Sequence, residues 1–203
     1  MKILVTGAKG MLAHDLIPVL REGHEVISPA EENLDITKRA GIYEVVEQTV
    51  PDLVVNCAAY TQVDKAEEER DKAFLVNGIG VQNIALACHD NGIPLCHIST
   101  DYVFDGEKKS PYTPFDNTNP INAYGESKLA GEKYIQWVDQ RLRQPLGGGG
   151  EQNAVEWRAR RHPGQAVADH DLDIVVTERP QTHACLFGQR PITLNAHHFT
   201  RQP

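Results

Sequence analysis

Asp52-Leu53-Val54-Val55-Asn56-Cys57-Ala58-Ala59 is a nearly continuous apolar run, without the alternation of a strand that keeps one face in water. A strand of this kind must be covered on both faces, which is the situation in a parallel sheet with helices above and below it. Residues 2–6 and 93–101 read the same way, and Gly23-His24-Glu25-Val26-Ile27-Ser28-Pro29 supplies a shorter strand that Pro29 ends. Between the strands, apolar residues recur at helical spacing: Leu16, Ile17, Val19 and Leu20, then Ile42, Val45 and Val46, then Phe74, Leu75, Val81, Ile84, Ala85 and Leu86. Helices are expected over about 38–49 and 73–91, with a charged helical turn opened by Val63-Asp64-Lys65-Ala66-Glu67. Strands and helices alternating in this order make an α/β fold with a doubly wound parallel sheet, and 203 residues suffice for one such domain with a sizeable core.

The first strand runs straight into Gly7-Ala8-Lys9-Gly10-Met11-Leu12-Ala13 and then into an amphipathic helix. In that setting Gly7 permits the tight turn and Gly10 lets backbone N–H groups approach a pyrophosphate at the positive helix end, so the turn reads as a dinucleotide site rather than an ordinary loop. An acid at the tip of the next strand favours NADH and an arginine favours NADPH. Ser28-Pro29-Ala30 offers neither, so both cofactors stay open, and Glu31 and Glu32 read as solvated loop charges. Asp35 in Leu34-Asp35-Ile36-Thr37 is a helix cap or an adenine-side contact. Ala58 and Ala59, at the carboxyl end of their strand, leave room for a flat cofactor or for tight packing. Asn77 sits in an apolar pattern and reads either as a satisfied structural residue or as a catalytic one. His97 reads as a core or partnered histidine.

Tyr124 and Lys128 stand four residues apart in Ala123-Tyr124-Gly125-Glu126-Ser127-Lys128, which on a helix puts both on one face. An ammonium beside a phenol favours the phenolate and lowers the tyrosine from its usual ~10, so such a tyrosine can pass a proton to a carbonyl oxygen. Thr100 ends its strand just before this segment and is expected to reach the same crevice. Tyr102-Val103-Phe104-Asp105-Gly106 and the proline-rich residues 111–120 form a long loop over the carboxyl edge of the sheet, the usual place for a substrate-facing lid.

Gly7-x-x-Gly10-x-x-Ala13, Asn56-Cys57-Ala58-Ala59, Ser99-Thr100-Asp101-Tyr102-Val103-Phe104 and Tyr124-x-x-x-Lys128 together resemble the extended short-chain dehydrogenase/reductase superfamily. Residues 59–67, 99–106 and 119–132 look like its dTDP-4-dehydrorhamnose reductase subfamily almost without interruption. The resemblance covers roughly residues 1–136 and implies a Rossmann-like domain over 1–140. It implies NADPH or NADH as cofactor and hydride transfer to C4 of a dTDP-4-keto-6-deoxy-hexose, giving dTDP-L-rhamnose for cell-surface polysaccharide. Thr100 would stand in for the usual serine that orients the carbonyl. Tyr124 would donate the proton, and Lys128 would hold the nicotinamide ribose while lowering the Tyr124 pKa. Gly7, Gly10, Met11, Leu12, Asp35, Ile36, Ala58, Ala59 and Tyr60 fall where the family contacts its dinucleotide. Val63, Asp101 and Tyr102 fall with Thr100 on the substrate side. A reductase of another 4-keto nucleotide-sugar and a non-catalytic dinucleotide-binding or regulatory relative are the alternatives.

Beyond the tyrosine helix the family's return strand and small substrate domain are not recognisable. Gly147-Gly148-Gly149-Gly150 breaks any helix, every lysine lies at or before Lys133, all six tyrosines lie at or before Tyr134, and most arginines follow Gln140. This reads as a reading-frame shift or fusion near residues 134–140, with a divergent C-terminal region as the alternative. Residues 141–203 are thus expected to be an atypical tail, poorly ordered, on an apparently truncated sheet with an exposed apolar edge, although Asp173-Ile174-Val175-Val176-Thr177 can supply one strand. The net charge of −8 argues against nucleic acid or an anionic membrane as the main partner. No apolar stretch is long enough to span a bilayer, and Met1 to Gly7 lacks the apolar region of a signal peptide, which points to the cytoplasm. A homodimer is compatible with the reading. Cys57, Cys88, Cys96 and Cys185 suggest neither a disulfide framework nor zinc, and three of them read as buried small residues. The scattered His162, His170, His183, His197 and His198 have no metal-ligand spacing, so no metal is assigned.

Overall fold

Four strands lie side by side and parallel in the computed structural model, which describes residues 1–142 and the strand 173–177. In chain order the elements are β1 (Lys2–Thr6), α1 (Met11–Arg21), β2 (Glu25–Ile27), α2 (Arg39–Thr49), β3 (Leu53–Asn56), α3 (Val63–Glu68), α4 (Arg70–Phe74), a π-helical turn (Leu75–Gly80), α5 (Val81–Asn91), β4 (Leu95–Ser99), a short 3₁₀ turn (Asp101–Val103), α6 (Ala123–Leu142) and β5 (Asp173–Thr177). The sheet order is β2-β1-β3-β4-β5. The chain steps from β1 to β2 on one side and returns to place β3 on the other, so the order reverses between β1 and β3. This is a Rossmann-like doubly wound sheet, and ligands in such sheets bind at the carboxyl ends of the strands beside that reversal.

Both faces of the strands are apolar, as the run at β3 requires. On one face Ala13, Ile17 and Leu20 of α1 cover Ile3, Val5, Leu53 and Val55. On the other, Ile42 and Val46 of α2, Val81, Ile84 and Ala85 of α5, and Ile135 and Val138 of α6 pack on Leu4, Val54 and Leu95. Burying each such aliphatic side chain stabilises the fold by about 1.5–3 kcal/mol. Helix α5 ends on Gly92 in the left-handed region (φ 73°), where Ile93 N–H reaches Cys88 O (2.8 Å) and Gly92 N–H reaches His89 O (3.1 Å). Helix α2 ends the same way, but on Val50 (φ 45°), a β-branched residue.

Several expectations change. The helix expected over 73–91 is interrupted, because Leu75–Gly80 takes the wider π-helical winding that carries Asn77 toward α6. The glycines there serve close approach: a Cβ on Gly80 would stand 2.7 Å from Ile36 Cδ1. Strand β3 ends at Asn56 and β4 at Ser99, each shorter than its apolar run, because Ala58 and Tyr102 turn their backbones onto side-chain partners. Asp35 does not cap α2. Its Oδ1 accepts from Thr37 N (3.0 Å) and Thr37 Oγ1 (2.7 Å), closing a local turn ahead of a helix whose own start has no side-chain cap. Residues 173–177 do form a strand, antiparallel to β4, so β4 is not the exposed edge that was expected. Apart from residues 141–142, which end α6, and from β5, the tail over 141–203 lies outside the described residues, and with it the expectations of poor order and of no substrate domain. Among the described residues no helix is long and apolar enough to cross a membrane.

Candidate active site

The reversal between β1 and β3 brings two backbones together. Gly7 adopts φ 68°, and a Cβ there would stand 2.5 Å from Ala58 N, so no side chain fits between the glycine turn and the end of β3. Gly10 N–H donates to Gly7 O (2.9 Å), and α1 starts from Gly10 with no side-chain cap and no acid in its first turn. The N–H groups of Met11, Leu12 and Ala13, ahead of the first intrahelical bond from His14 N to Gly10 O (2.9 Å), therefore keep their donors and their positive field available. An uncapped helix start behind a cradle that a Cβ would fill suits a pyrophosphate. Ala58 and Ala59 line the adjoining turn half-buried.

Other dinucleotide candidates are less open. The Ile36 side chain is buried in the core and its carbonyl accepts from Asn83 Nδ2 (3.0 Å), while Asp35 is held low by Thr37. Tyr60 is buried, its phenol donating to Glu69 Oε2 (3.1 Å) and its backbone N–H and C=O both bonded to Asn77. Glu32, read as a solvated loop charge, is indeed exposed, and it pairs across the surface with Lys9 of the glycine turn at 2.9 Å.

Helix α6 carries the tyrosine and lysine to the end of β4. Asn122 caps it, Oδ1 accepting from Gly125 N (2.7 Å), and Glu67 Oε1 accepts from Ala123 N (2.7 Å). Gly125 lies directly against Tyr102 O, which lets the helix start approach the Thr100 segment. Tyr124 is half-buried, packs edge-on against Tyr102 at 5.6 Å and is hydrogen-bonded to Thr100. Thr100 Oγ1 also donates to Asp101 Oδ1 (3.2 Å) and accepts from Tyr102 N (3.3 Å). Thr100, Asp101, Tyr102, Tyr124 and Lys128 are thus gathered at one strand end, with Val63 half-buried at the start of α3, which also packs on α6.

The electrostatics correct one expectation. Burial raises the Tyr124 phenol, with the Asp101 and Tyr102 charges adding to the rise and the Thr100 hydrogen bond opposing it. Lys128 is not among the groups that shift it here. Its Nζ donates to Ile98 O at 2.5 Å inside the fold, and burial pushes it down to about 8 against the opposing pull of Glu132.

A polar layer behind these groups was not read from the sequence. Thr6 Oγ1 donates to Asn56 Oδ1 (2.5 Å), and Asn56 Nδ2 meets His97 Nδ1 (2.9 Å). Since Asn56 Oδ1 also accepts from Ala58 N (3.1 Å), Nδ2 is the donor and the neutral His97 ring carries its proton on Nε2, which is buried without a partner among the described residues. Burial first, and then the Lys128 charge, hold the His97 pKa well below its usual value. Ser99 Oγ donates to Glu132, whose pKa burial raises. The signal for Glu132 was its place four residues after Lys128. The signal for Asn56 was its polarity within an apolar run. Asn77 takes the structural one of its two readings, fully satisfied: Oδ1 accepts from Tyr60 N (2.8 Å) and Nδ2 donates to Tyr60 O and Ser127 Oγ (2.9 Å each).

The loop over the strand ends is tied to itself. Phe104 stacks on Tyr112 at 4.2 Å, Asp105 accepts from Tyr112 Oη (2.7 Å), Glu107 N (3.1 Å) and Asn119 Nδ2 (3.1 Å), and Lys108 pairs with Asp116 at 2.5 Å. Phe115 at its tip is exposed.

A family model described as the RmlD substrate-binding domain matches residues 1–142. The chain is 47% identical over 133 residues to a dTDP-4-keto-6-deoxy-D-glucose reductase of Streptomyces niveus, covering 65% of this chain and 46% of that protein. It is 45% identical over 132 residues to a dTDP-4-dehydrorhamnose reductase of Sinorhizobium fredii, covering 65% and 45%. Among solved structures, a dTDP-4-dehydrorhamnose reductase of Bacillus anthracis in complex with NADP superposes with a TM-score of 0.66 at 41% identity, covering 68% of this chain and 49% of that one. The chain therefore spans about half the length of the curated relatives it matches.

Proposed function

Because the chain belongs to the RmlD substrate-binding-domain family, we propose that it is an NAD(P)H-dependent reductase of a 4-keto nucleotide-sugar, taking dTDP-4-dehydro-β-L-rhamnose to dTDP-L-rhamnose. The observation that carries this reading is the meeting of Thr100, Tyr124 and Lys128 at the end of β4, next to the uncapped glycine turn. When bound, the nicotinamide supplies hydride to the ketone carbon. Tyr124 delivers the proton to the ketone oxygen, and its raised pKa keeps the phenol protonated until charge develops there. Thr100 orients that oxygen through the hydroxyl it shares with Tyr124. Lys128, whose Nζ donates to Ile98 O, is the group that would hold the nicotinamide ribose. Gly7, Gly10, Met11, Leu12, Ala58 and Ala59 form the dinucleotide cradle, with Asp35, Ile36 and Tyr60 as structural supports beside it. Val63, Asp101 and Tyr102 face the sugar nucleotide. A cytoplasmic setting accords with the free thiols of Cys57, Cys88 and Cys96, all pushed up to about 12 by burial. A homodimer accords with the exposed Leu75, Ile79 and Trp137 of the π-helical turn and α6. Residues 141–203 belong to the reading as a tail that does not build the family's substrate domain.

The test is cofactor binding and turnover by the full chain. Gly10→Asp places a carboxylate at the helix start, where it caps α1 and keeps the fold while excluding a pyrophosphate. NADPH and NADH are expected to bind the wild type and not this variant. Tyr124→Phe should retain cofactor and lose roughly 10²-fold or more in kcat on dTDP-4-dehydrorhamnose. Full turnover by Tyr124→Phe sinks the catalytic assignment; cofactor binding without turnover by the wild type limits the chain to a dinucleotide-binding role.

A further inference from the structure

We infer that Glu132 is the buried counter-ion of Lys128 and, acting through it, a positioning residue for the nicotinamide end of the cofactor site. The inference rests on the reductase reading for the cofactor, while the pairing itself stands on the fold. Glu132 follows Lys128 by one turn of α6, which sets the two side chains on one face, and both lie in the dry interior, 4% and 2% exposed. They are stitched to consecutive residues at the end of β4: Lys128 Nζ donates to Ile98 O at 2.5 Å, and Glu132 Oε1 accepts from Ser99 Oγ. A glutamine would accept that hydroxyl equally well and would escape the cost of burying a charge. What the carboxylate adds is its charge, and the cation one turn back is Lys128.

The neighbours leave Glu132 as the group that balances Lys128. Cys57 of β3 also acts on it and Cys88 of α5 lies in the core beside α6, but burial pushes both thiols up to about 12, so both are neutral at working pH. His97 of β4 is held neutral, and Lys133 of α6 is a second cation that acts on Glu132. Asp101 and Tyr102 of the 3₁₀ turn bear on Tyr124, one turn ahead of Lys128. The π-helical turn brings the uncharged Asn77 amide, and Glu67 and Arg70 of α3 and α4 are engaged at the start of α6, with Ala123 N and Glu126. Asp173 of β5 is the register partner of Ser99, which makes it the rival acid. Burial drives Lys128 toward the neutral amine and Glu132 toward the neutral acid, and each opposes the other's loss of charge. Without the carboxylate Lys128 gives up its proton nearer neutrality, and with it the charged donor offered to a ribose hydroxyl.

The experiment follows the Lys128 Cε resonance of the full chain by NMR across pH, assigned with Lys128→Met, and in parallel the dissociation constant of NADPH by nicotinamide fluorescence. Glu132→Gln keeps the Ser99 bond and removes the charge. Loss of a unit charge about 6 Å away at an effective dielectric of about 20 should lower the Lys128 midpoint by about one pH unit or more. Affinity that needs the ammonium is full below that midpoint and lost above it, so the variant should bind NADPH about threefold more weakly than wild type near pH 7.5 and equally well near pH 6. A helix that is merely misplaced gains nothing from acid. Asp173→Asn should leave the midpoint where it is. A Glu132→Gln midpoint within about 0.3 unit of wild type, or an Asp173→Asn shift of the size expected for Glu132→Gln, overturns the pairing. An affinity loss of equal size at both pH values, or none at either, overturns the positioning role. Should Glu132→Gln fail to fold, adding Lys128→Met removes the stranded ammonium and should restore the fold; a double variant as unstable as the single one overturns the pairing. A wild type that binds no NADPH, with a Lys128 midpoint that still falls in Glu132→Gln, overturns the reductase reading and supports the pairing.

Discussion

Asn77→Ala removes a side chain that holds three buried groups at once. Tyr60 N–H and Tyr60 C=O lose their Asn77 partners, at 2.8 and 2.9 Å, and neither has water to turn to because both Asn77 and Tyr60 are buried. Ser127 is less affected, since its hydroxyl still donates to Tyr124 O at 2.7 Å. Two stranded backbone groups at about 1–3 kcal/mol each give roughly 4 kcal/mol, a third or more of the stability of an ordinary domain. With a urea m-value of about 2 kcal/mol/M, the midpoint should fall by about 2 M, followed by the fluorescence of Trp137 on α6. Asn77→Asp adds a pH signature. The new carboxyl would be desolvated and would face Tyr60 O and Ser127 Oγ, so its folded pKa lies above the unfolded value of about 3.9. A group raised on folding contributes stability below its unfolded pKa and loses it as pH rises through the folded one. The protonated acid can still donate to Tyr60 O, so the deficit relative to wild type should be small near pH 4 and large at pH 8. A loss under about 1 kcal/mol for Asn77→Ala, or an Asn77→Asp deficit independent of pH, would refute the claim that this amide holds the π-helical turn to the Tyr60 segment.

Val50→Gly should stabilise the protein by about 1 kcal/mol, read as a rise in Tm, because a β-branched residue at φ 45° is strained at the end of α2; a lower Tm would count against it. Gly7→Ala should cost about 2 kcal/mol or more and abolish dinucleotide binding, since its Cβ meets Ala58 N at 2.5 Å; binding at wild-type affinity would show that the turn opens freely. Lys128, pushed down to about 8 from 10.5, is an ammonium at neutral pH but loses its proton in the folded chain between those values, where the unfolded chain still holds it. Its contribution to stability should therefore rise between those pH values by about 3 kcal/mol. The buried thiols act in the opposite direction there, so the comparison is wild type against Lys128→Met by urea denaturation from pH 7 to 10, and parallel curves would refute it.

What could be read from the sequence was local. The strand, glycine turn and helix at residues 2–21 follow from neighbours in the chain, as do the apolar run of β3 and the spacing that puts Tyr124 and Lys128 on one face. What could not be read depends on partners far along the chain. Asn77 meets Ser127, fifty positions away, and that contact goes with π winding where the apolar periodicity suggested plain α-helix. Lys128 was expected to act on Tyr124 because sequence shows their separation but not Ile98 O, which holds the ammonium instead. Asp35 illustrates the opposite case: a cap and a turn differ only in whether the carboxylate folds onto Thr37 or onto a later N–H, and propensity favours neither.

The row formed by Thr6, Asn56 and His97 has a further consequence for how the strands find one another. In β1, β3 and β4 both faces are apolar, so sliding one strand past the next by a residue exchanges valine for valine and leucine for isoleucine with little penalty. Thr6 is the register partner of Asn56, and Asn56 of His97, so all three polar groups share one rung. Any slip sets Asn56 against an aliphatic neighbour and strands its amide, with the threonine hydroxyl or the imidazole, in the dry interior, at about 1–3 kcal/mol for each group. A hydrophobic sheet that could otherwise pair in several alignments is thereby keyed to one, and that alignment brings Gly7 against Ala58.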